Sequence, residues 1–251
     1  MEYLVVFAAG FVAGAINSVA GGGTLISFPV LIWVGLPSPF ANATSTVAIW
    51  PGSLGGLWGY RRDLRGLPAT TYALVVPSLL GGITGAVLLK MTPTEMFDRL
   101  IPILILFATV LFMMQETVQR AIRTTGSAHA GSKGWLIGAL LFQLFVSLYG
   151  GYFGAGIGIL MLAAFGIMGF TDIHQMNGLK NFLALCINGI AAFYFIANGM
   201  VSWTHALVMA VGAIVGGVWG AGVARRIGPN GVRRIVIVVG FTMALSLLLR
   251  L

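Results

Sequence analysis

The sequence predicts an all-α polytopic membrane protein: two inverted-topology repeats whose short broken or re-entrant helices meet near the midplane. Three observations carry that expectation. The chain is 58% hydrophobic and only 8% charged, against about 25% charged in ordinary soluble domains. Its uncharged runs at 3–60, 66–89, 100–115, 134–171 and 181–224 include several too long for one crossing of about 20 apolar residues. Its two halves also match at one constant offset.

Residues 3–20 form the first apolar segment, closed by Gly21-Gly22-Gly23. No basic n-region precedes it, so it is expected to remain in the mature protein rather than to serve as a signal peptide. Thr24–Gly35 is about half a span, and Leu36-Pro37-Ser38-Pro39 turns the chain, since proline and its predecessor disfavour helix. Asn42–Tyr60 reads as a third segment interrupted at Pro51-Gly52, and Arg61–Arg65 as a charged loop. Pro68–Leu89 is a span with Gly81, Gly82 and Gly85 on a small-residue face suited to close helix packing. Lys90–Arg99 reads as a mixed-charge loop and Leu100–Gln115 as the last apolar run of this half.

Adding 135 to the residue number returns Phe7/Phe142, Ala20/Ala155, Gly21/Gly156, Gly23/Gly158, Leu25/Leu160 and Asn42/Asn177. It continues through Gly81/Gly216, Gly82/Gly217, Gly85/Gly220, Ala86/Ala221 and Arg99/Arg234 without a gap. The ordered glycines, asparagine and arginine carry the match, because aliphatic residues coincide easily in apolar chains. The expected organisation is one transporter domain over 1–251, with repeat 1 at 3–115, a polar linker at 116–133 and repeat 2 at 134–251.

Loop charge orients the halves. The 61–65 loop has three Arg and one Asp, while its equivalent, around Gly199–His205, has no Lys or Arg. The balanced 90–99 loop corresponds to a stretch holding Arg225, Arg226, Arg233 and Arg234. Positively charged loops stay in the cytoplasm, so 61–65, 116–133 and 225–234 are expected there, with both termini outside. Equivalent loops then face opposite sides, as an inverted repeat requires. Six full spans with re-entrant hairpins, or up to ten crossings, both fit the hydropathy.

The net charge of +8 does not indicate nucleic acid: the basic residues are dispersed through short loops. The expected partners are the lipid bilayer and a small anionic substrate; a homodimer is left open. Cys186 is the single cysteine, expected as a small buried hydrophobe. No paired carboxylates, clustered histidines or GxxxxGK[ST] phosphate loop occur, so no enzyme, cofactor, metal or ATP-driven chemistry is expected.

Matched, Gly/Pro-interrupted short segments in two halves point to a secondary transporter with a midplane site. Inward helix N-termini suit an anion. Asn17, Gly21, Gly22, Gly23, Thr24, Asn42, Thr44 and Ser45 are the candidate substrate-binding residues of the first half. Gly154, Gly156, Gly158, Asn177, Lys180 and Asn181 are those of the second. Lys180 is the basic residue farthest from an obvious loop; a lysine there either serves the site or snorkels to the interface. Its equivalent is Ser45, and Asn181 matches Thr46, so one half brings hydroxyls and the other a cation. Asp172 and His174 are candidates for proton coupling, histidine titrating near neutral pH. Trp50, Trp58, Tyr149 and Tyr152 read as packing or interfacial anchors.

AGGGTLISFPVL followed by ANATST, and GAGIGILML followed by MNGLKN, resemble the sulfite exporter TauE/SafE family over nearly the whole chain. The second glycine motif reads Gly-Ala-Gly-Ile-Gly where the first has three glycines in a row. The resemblance implies export of small sulfur-containing anions (sulfite, sulfoacetate or other organosulfonates) across the bacterial inner membrane. The potential agrees, since a negative interior expels an anion by roughly 2.3 kcal/mol per charge per 100 mV. An importer, a transporter of another anion such as a carboxylate, and a non-transport partner subunit are the alternatives.

Overall fold

The structure is a computed structural model. It describes the backbone of all residues except 20–21, 60, 62–63, 65–68, 125–132, 169, 171 and 250–251. Side chains are described for all but these and 18–19, 53, 55–59, 69–70, 119–124, 133–136, 167, 173, 219–230 and 232–233.

The described residues form helices and no strands. They are α1 (Glu2–Val19), α2 (Thr24–Trp33), α3 (Ser38–Gly59), the single turn α4 (Ala69–Tyr72), α5 (Val75–Met91) and α6 (Thr94–Thr124). The second half gives α7 (Lys133–Tyr152), α8 (Ile157–Ile167), α9 (Ile173–Ala197), α10 (Trp203–Val215), a π turn at Gly216–Gly220 and α11 (Ala221–Leu248). The short helices α2 and α8 follow breaks at 22–23 and 153–156. Gly154 and Gly156 have φ of +83° and +82°, backbone that glycine adopts without the Cβ penalty.

Five boundaries differ from the sequence expectation. Pro51 does not interrupt α3, which is helical through Ser38–Gly59; inside a helix bundle, neighbours can satisfy the one carbonyl that proline frees. The 90–99 loop shrinks to Thr92-Pro93, because charge alone does not break a helix. Thr92, held extended at ψ 120° ahead of Pro93, makes the break. The expected span at 68–89 is the turn α4 and then α5, a separation hydropathy cannot register. The 225–234 stretch is no loop: α11 is helical across it. Arginine is a good helix former, so charge does not mark a turn there. The expected linker at 116–133 is likewise helical as far as Thr124.

Contact order along the helices fixes their directions. Tyr72–Phe182, Gly82–Ile190 and Lys90–Asn198 meet in ascending order on both sides, so α5 runs parallel to α9. Gly81 meets Leu144 and Gly85 meets Leu148, so α5 also runs parallel to α7. In the same way Gly10 meets Met209 and Gly14 meets Ala213, making α1 parallel to α10. Thr44 contacts Ser202 just past the end of α9, while Trp50 contacts Leu185 further back, so α3 and α9 are antiparallel. The first helix of each half therefore packs on the fourth-segment helix of the other, α1 on α10 and α7 on α5.

The glycines explain the intimacy of these pairs. A Cβ on Gly14, Gly85, Gly151 or Gly216 would collide with a backbone carbonyl of the facing helix, so small residues let the helices close on each other. The outer faces are the reverse. Leu207, Val211 and Ile214 on α10 with Val218 in the π turn after it, and Ile103, Leu106, Phe107 and Val110 on α6, are exposed at helical spacing. A continuous apolar exterior of this extent marks a membrane contact. Thr94–Val118 and His174–Ala197 are each long and apolar enough to cross a membrane; the other apolar helices are shorter over their described residues.

Candidate functional site

Both glycine breaks approach one turn of α6. A side chain at Gly22 would strike Phe112, and one at Gly156 would lie 3.3 Å from Leu111 and 3.6 Å from Ala108. Since 108 and 112 are one turn apart, the starts of α2 and α8 converge on the same level of the molecule. Each presents first-turn N–H groups and the positive end of a helix dipole there.

The two starts are finished differently. At α2, the N–H groups of Gly22 and Gly23 both donate to Asn17 Oδ1 at 2.8 Å. Ser27 Oγ donates to Gly23 O (3.1 Å) and shares a 2.7 Å hydrogen bond with Ser45 Oγ. Asn17, Gly22, Gly23 and Ser45 thus form one satisfied network, with Thr24 opening the helix. Gly21 lies outside the described residues. At α8 the residue equivalent to Asn17 is Tyr152, and Gly156, which begins the helix, has no side chain to cap it. Instead the Lys180 stem lies against Gly158: a Cβ there would be 3.1 Å from Lys180 Cδ. Lys180 Nζ donates to Asn177 Oδ1 at 2.9 Å, and an ammonium has two further protons to offer. Asn181 follows, half-buried, on α9.

The other candidates tie elements together. Asn42 Nδ2 donates to Tyr152 O at 2.9 Å, linking α3 to the end of α7. Thr44 Oγ1 accepts from Ser202 N at 3.0 Å. Ser45 and Lys180 do not meet. Each precedes the antiparallel Trp50–Leu185 crossing by five residues, about 7.5 Å of helix rise, in opposite directions. The hydroxyl cluster and the cation therefore flank the midpoint.

Asp172 caps α9, its Oδ1 accepting from His174 N at 2.8 Å and Gln175 N at 3.4 Å, and both Asp172 and His174 are exposed. Trp50, Tyr149 and Tyr152 pack against Phe193, Phe107 and Phe97 respectively; the Trp58 side chain lies outside the described residues. Cys186 is only half-buried.

Sequence reading missed a relay at the start of α10. Ser202 Oγ and His205 Nδ1 are 2.7 Å apart, and His205 Nε2 is 2.6 Å from Glu2 Oε1. Glu2 and His205 are 203 residues apart, and no local motif could have joined them. It also missed Gln143, whose Nε2 donates to Ser78 Oγ at 2.9 Å in the core.

Known proteins resemble this chain along nearly its whole length. A probable membrane transporter protein of Haemophilus influenzae is 26% identical over 246 residues, covering 95% of this chain and 91% of the relative. Probable membrane transporter protein YfcA of Escherichia coli is 25% identical, covering 97% and 88%. Probable membrane transporter protein ORF9 of a Sinorhizobium species is 24% identical, covering 96% and 90%. No solved structure gives a significant match. Residues 6–247 match the sulfite exporter TauE/SafE family, and the chain, a membrane transporter, belongs to it.

Proposed function

We propose that the protein is a secondary transporter that exports small sulfur-containing anions, sulfite or organosulfonates, by alternating access. The observation that carries this reading is the convergence of the α2 and α8 N-termini on Ala108–Phe112. Lys180 lies beside the start of α8, where Gly156 offers no side-chain cap. Two dipole ends and an ammonium make a local positive potential inside an apolar body, where a charge interaction is far stronger than in water. Gly156 and Gly158 carry no Cβ, so α6 and the Lys180 stem approach the start of α8 closely.

Alternating access needs two halves that exchange roles. Helix order repeats at the offset of 135, and the packing pairs α1–α10 and α7–α5 exchange under it. The antiparallel course of α3 against α9 supports the inverted relation. In this reading, 61–65, 116–133 and the arginine-bearing part of α11 face the cytoplasm of a bacterial inner membrane, and the membrane potential drives the anion out.

The test is flux of labelled sulfite, sulfoacetate and taurine from proteoliposomes under an imposed potential. Saturable efflux of at least one, faster when the compartment it leaves is negative, is the expected result. No flux of any of them under either polarity would overturn the assignment.

A further inference from the structure

Asn42 and its repeat equivalent Asn177 are finished in opposite ways. Asn177 Oδ1 receives the Lys180 ammonium. Asn42 is 1% exposed, and its Oδ1 has no hydrogen-bond partner. One helical turn earlier, Ser38 is 4% exposed with its Oγ also unpartnered. An unsatisfied buried polar atom costs about 1–3 kcal/mol, and two of them on one face of α3 ask for an occupant.

The chemistry of that occupant follows from Tyr152. Its carbonyl can only accept, so the Asn42 amide nitrogen must face it, at 2.9 Å. That orientation fixes the amide and leaves Oδ1 outward as an acceptor. An anion is therefore excluded beside Oδ1; a cation or a donor fits. The carbonyl also belongs to the last residue of α7, where the helix dipole is negative. Side chains one turn apart have Cβ atoms about 5–6 Å apart, and a cation of calcium's size takes oxygens at about 2.3–2.6 Å, so both can share one ion. All three oxygens are neutral, with no carboxylate among them to balance a double charge, which suits a monovalent ion.

We propose that Asn42 Oδ1, Ser38 Oγ and the Tyr152 carbonyl form a site for a small monovalent cation. The ion takes the place in the first half that the tethered Lys180 ammonium takes in the second. Its binding does not depend on which anion the proposed transporter carries.

The test uses the purified full chain in detergent without any substrate anion. Thermal stability is titrated with NaCl, KCl and choline chloride at constant ionic strength. A saturable rise with sodium or potassium over choline is expected. It is lost in Asn42→Leu and weakened in Ser38→Ala, while Lys180→Met retains it. Identical curves in the three salts, or a sodium response that survives in Asn42→Leu, would overturn the site. Because no anion is present, that failure would leave the anion reading untouched. Should Asn42→Leu fail to fold, the wild-type salt comparison and Ser38→Ala decide alone.

Discussion

Trp50 Nε1 donates to Leu185 O at 3.1 Å, and the two residues are separated by the repeat offset itself, 135. A contact between repeat equivalents can occur only near the axis that relates the halves, so this bond marks the pivot of α3 against α9. The indole also packs on Gly189. Replacing Trp50 by Phe keeps an aromatic ring and removes the donor. Unfolding in detergent should show a loss of about 1 kcal/mol, with transport retained.

The close pairs α1–α10 and α5–α7 predict matched sensitivity in the two halves. A Cβ at Gly14 would meet Ala213 O, and one at Gly151 would meet Gly82 O. Gly14→Ala and Gly151→Ala should each destabilise by about 1–3 kcal/mol, read as a lower melting temperature in detergent. Gly138 has open space around it, and Gly138→Ala should be close to neutral.

Asn17 holds the start of α2 with two hydrogen bonds. Asn17→Ala should cost about 1–2 kcal/mol, as loss of a helix cap does. Asn17→Asp keeps the acceptor but adds a negative charge at the converging helix starts. The fold should hold, while the KM for sulfite in proteoliposomes rises.

These predictions separate what the sequence could tell from what it could not. Hydropathy and the glycine offset reveal the helical class, the two short helices and both breaks, because the left-handed backbone at Gly154 and Gly156 favours glycine. Charge does not locate turns, which is why α11 runs through an arginine-rich stretch expected as a loop. Lys180 stood out as a charge in an apolar run. Its partner Asn177 sits three residues away on the same helix face, so that pair was legible. The Asn17 cap on Gly22 and Gly23 was visible only as three polar or small residues near one another. The Glu2–His205–Ser202 relay and the Asn42–Tyr152 bond join distant segments, and nothing local in the chain announces them.

Orientation is open to a direct check. In a Cys186→Ala background, Arg61→Cys and Trp203→Cys place single thiols at an exposed turn position and at the exposed start of α10. An impermeant maleimide added to intact cells should label position 203 and spare 61, which should react only in inverted vesicles. Labelling of both from one side would refute the inverted arrangement.

The central claim is that the anion is held at the start of α8 by Lys180, and the most direct measurement is sulfite efflux from proteoliposomes containing Lys180→Met and Lys180→Arg. Lys180→Met should lower sulfite affinity by at least about tenfold, the value of roughly 1.4 kcal/mol in a buried charge contact, and Lys180→Arg should restore part of it. Unchanged sulfite KM in a well-folded Lys180→Met protein would contradict the account.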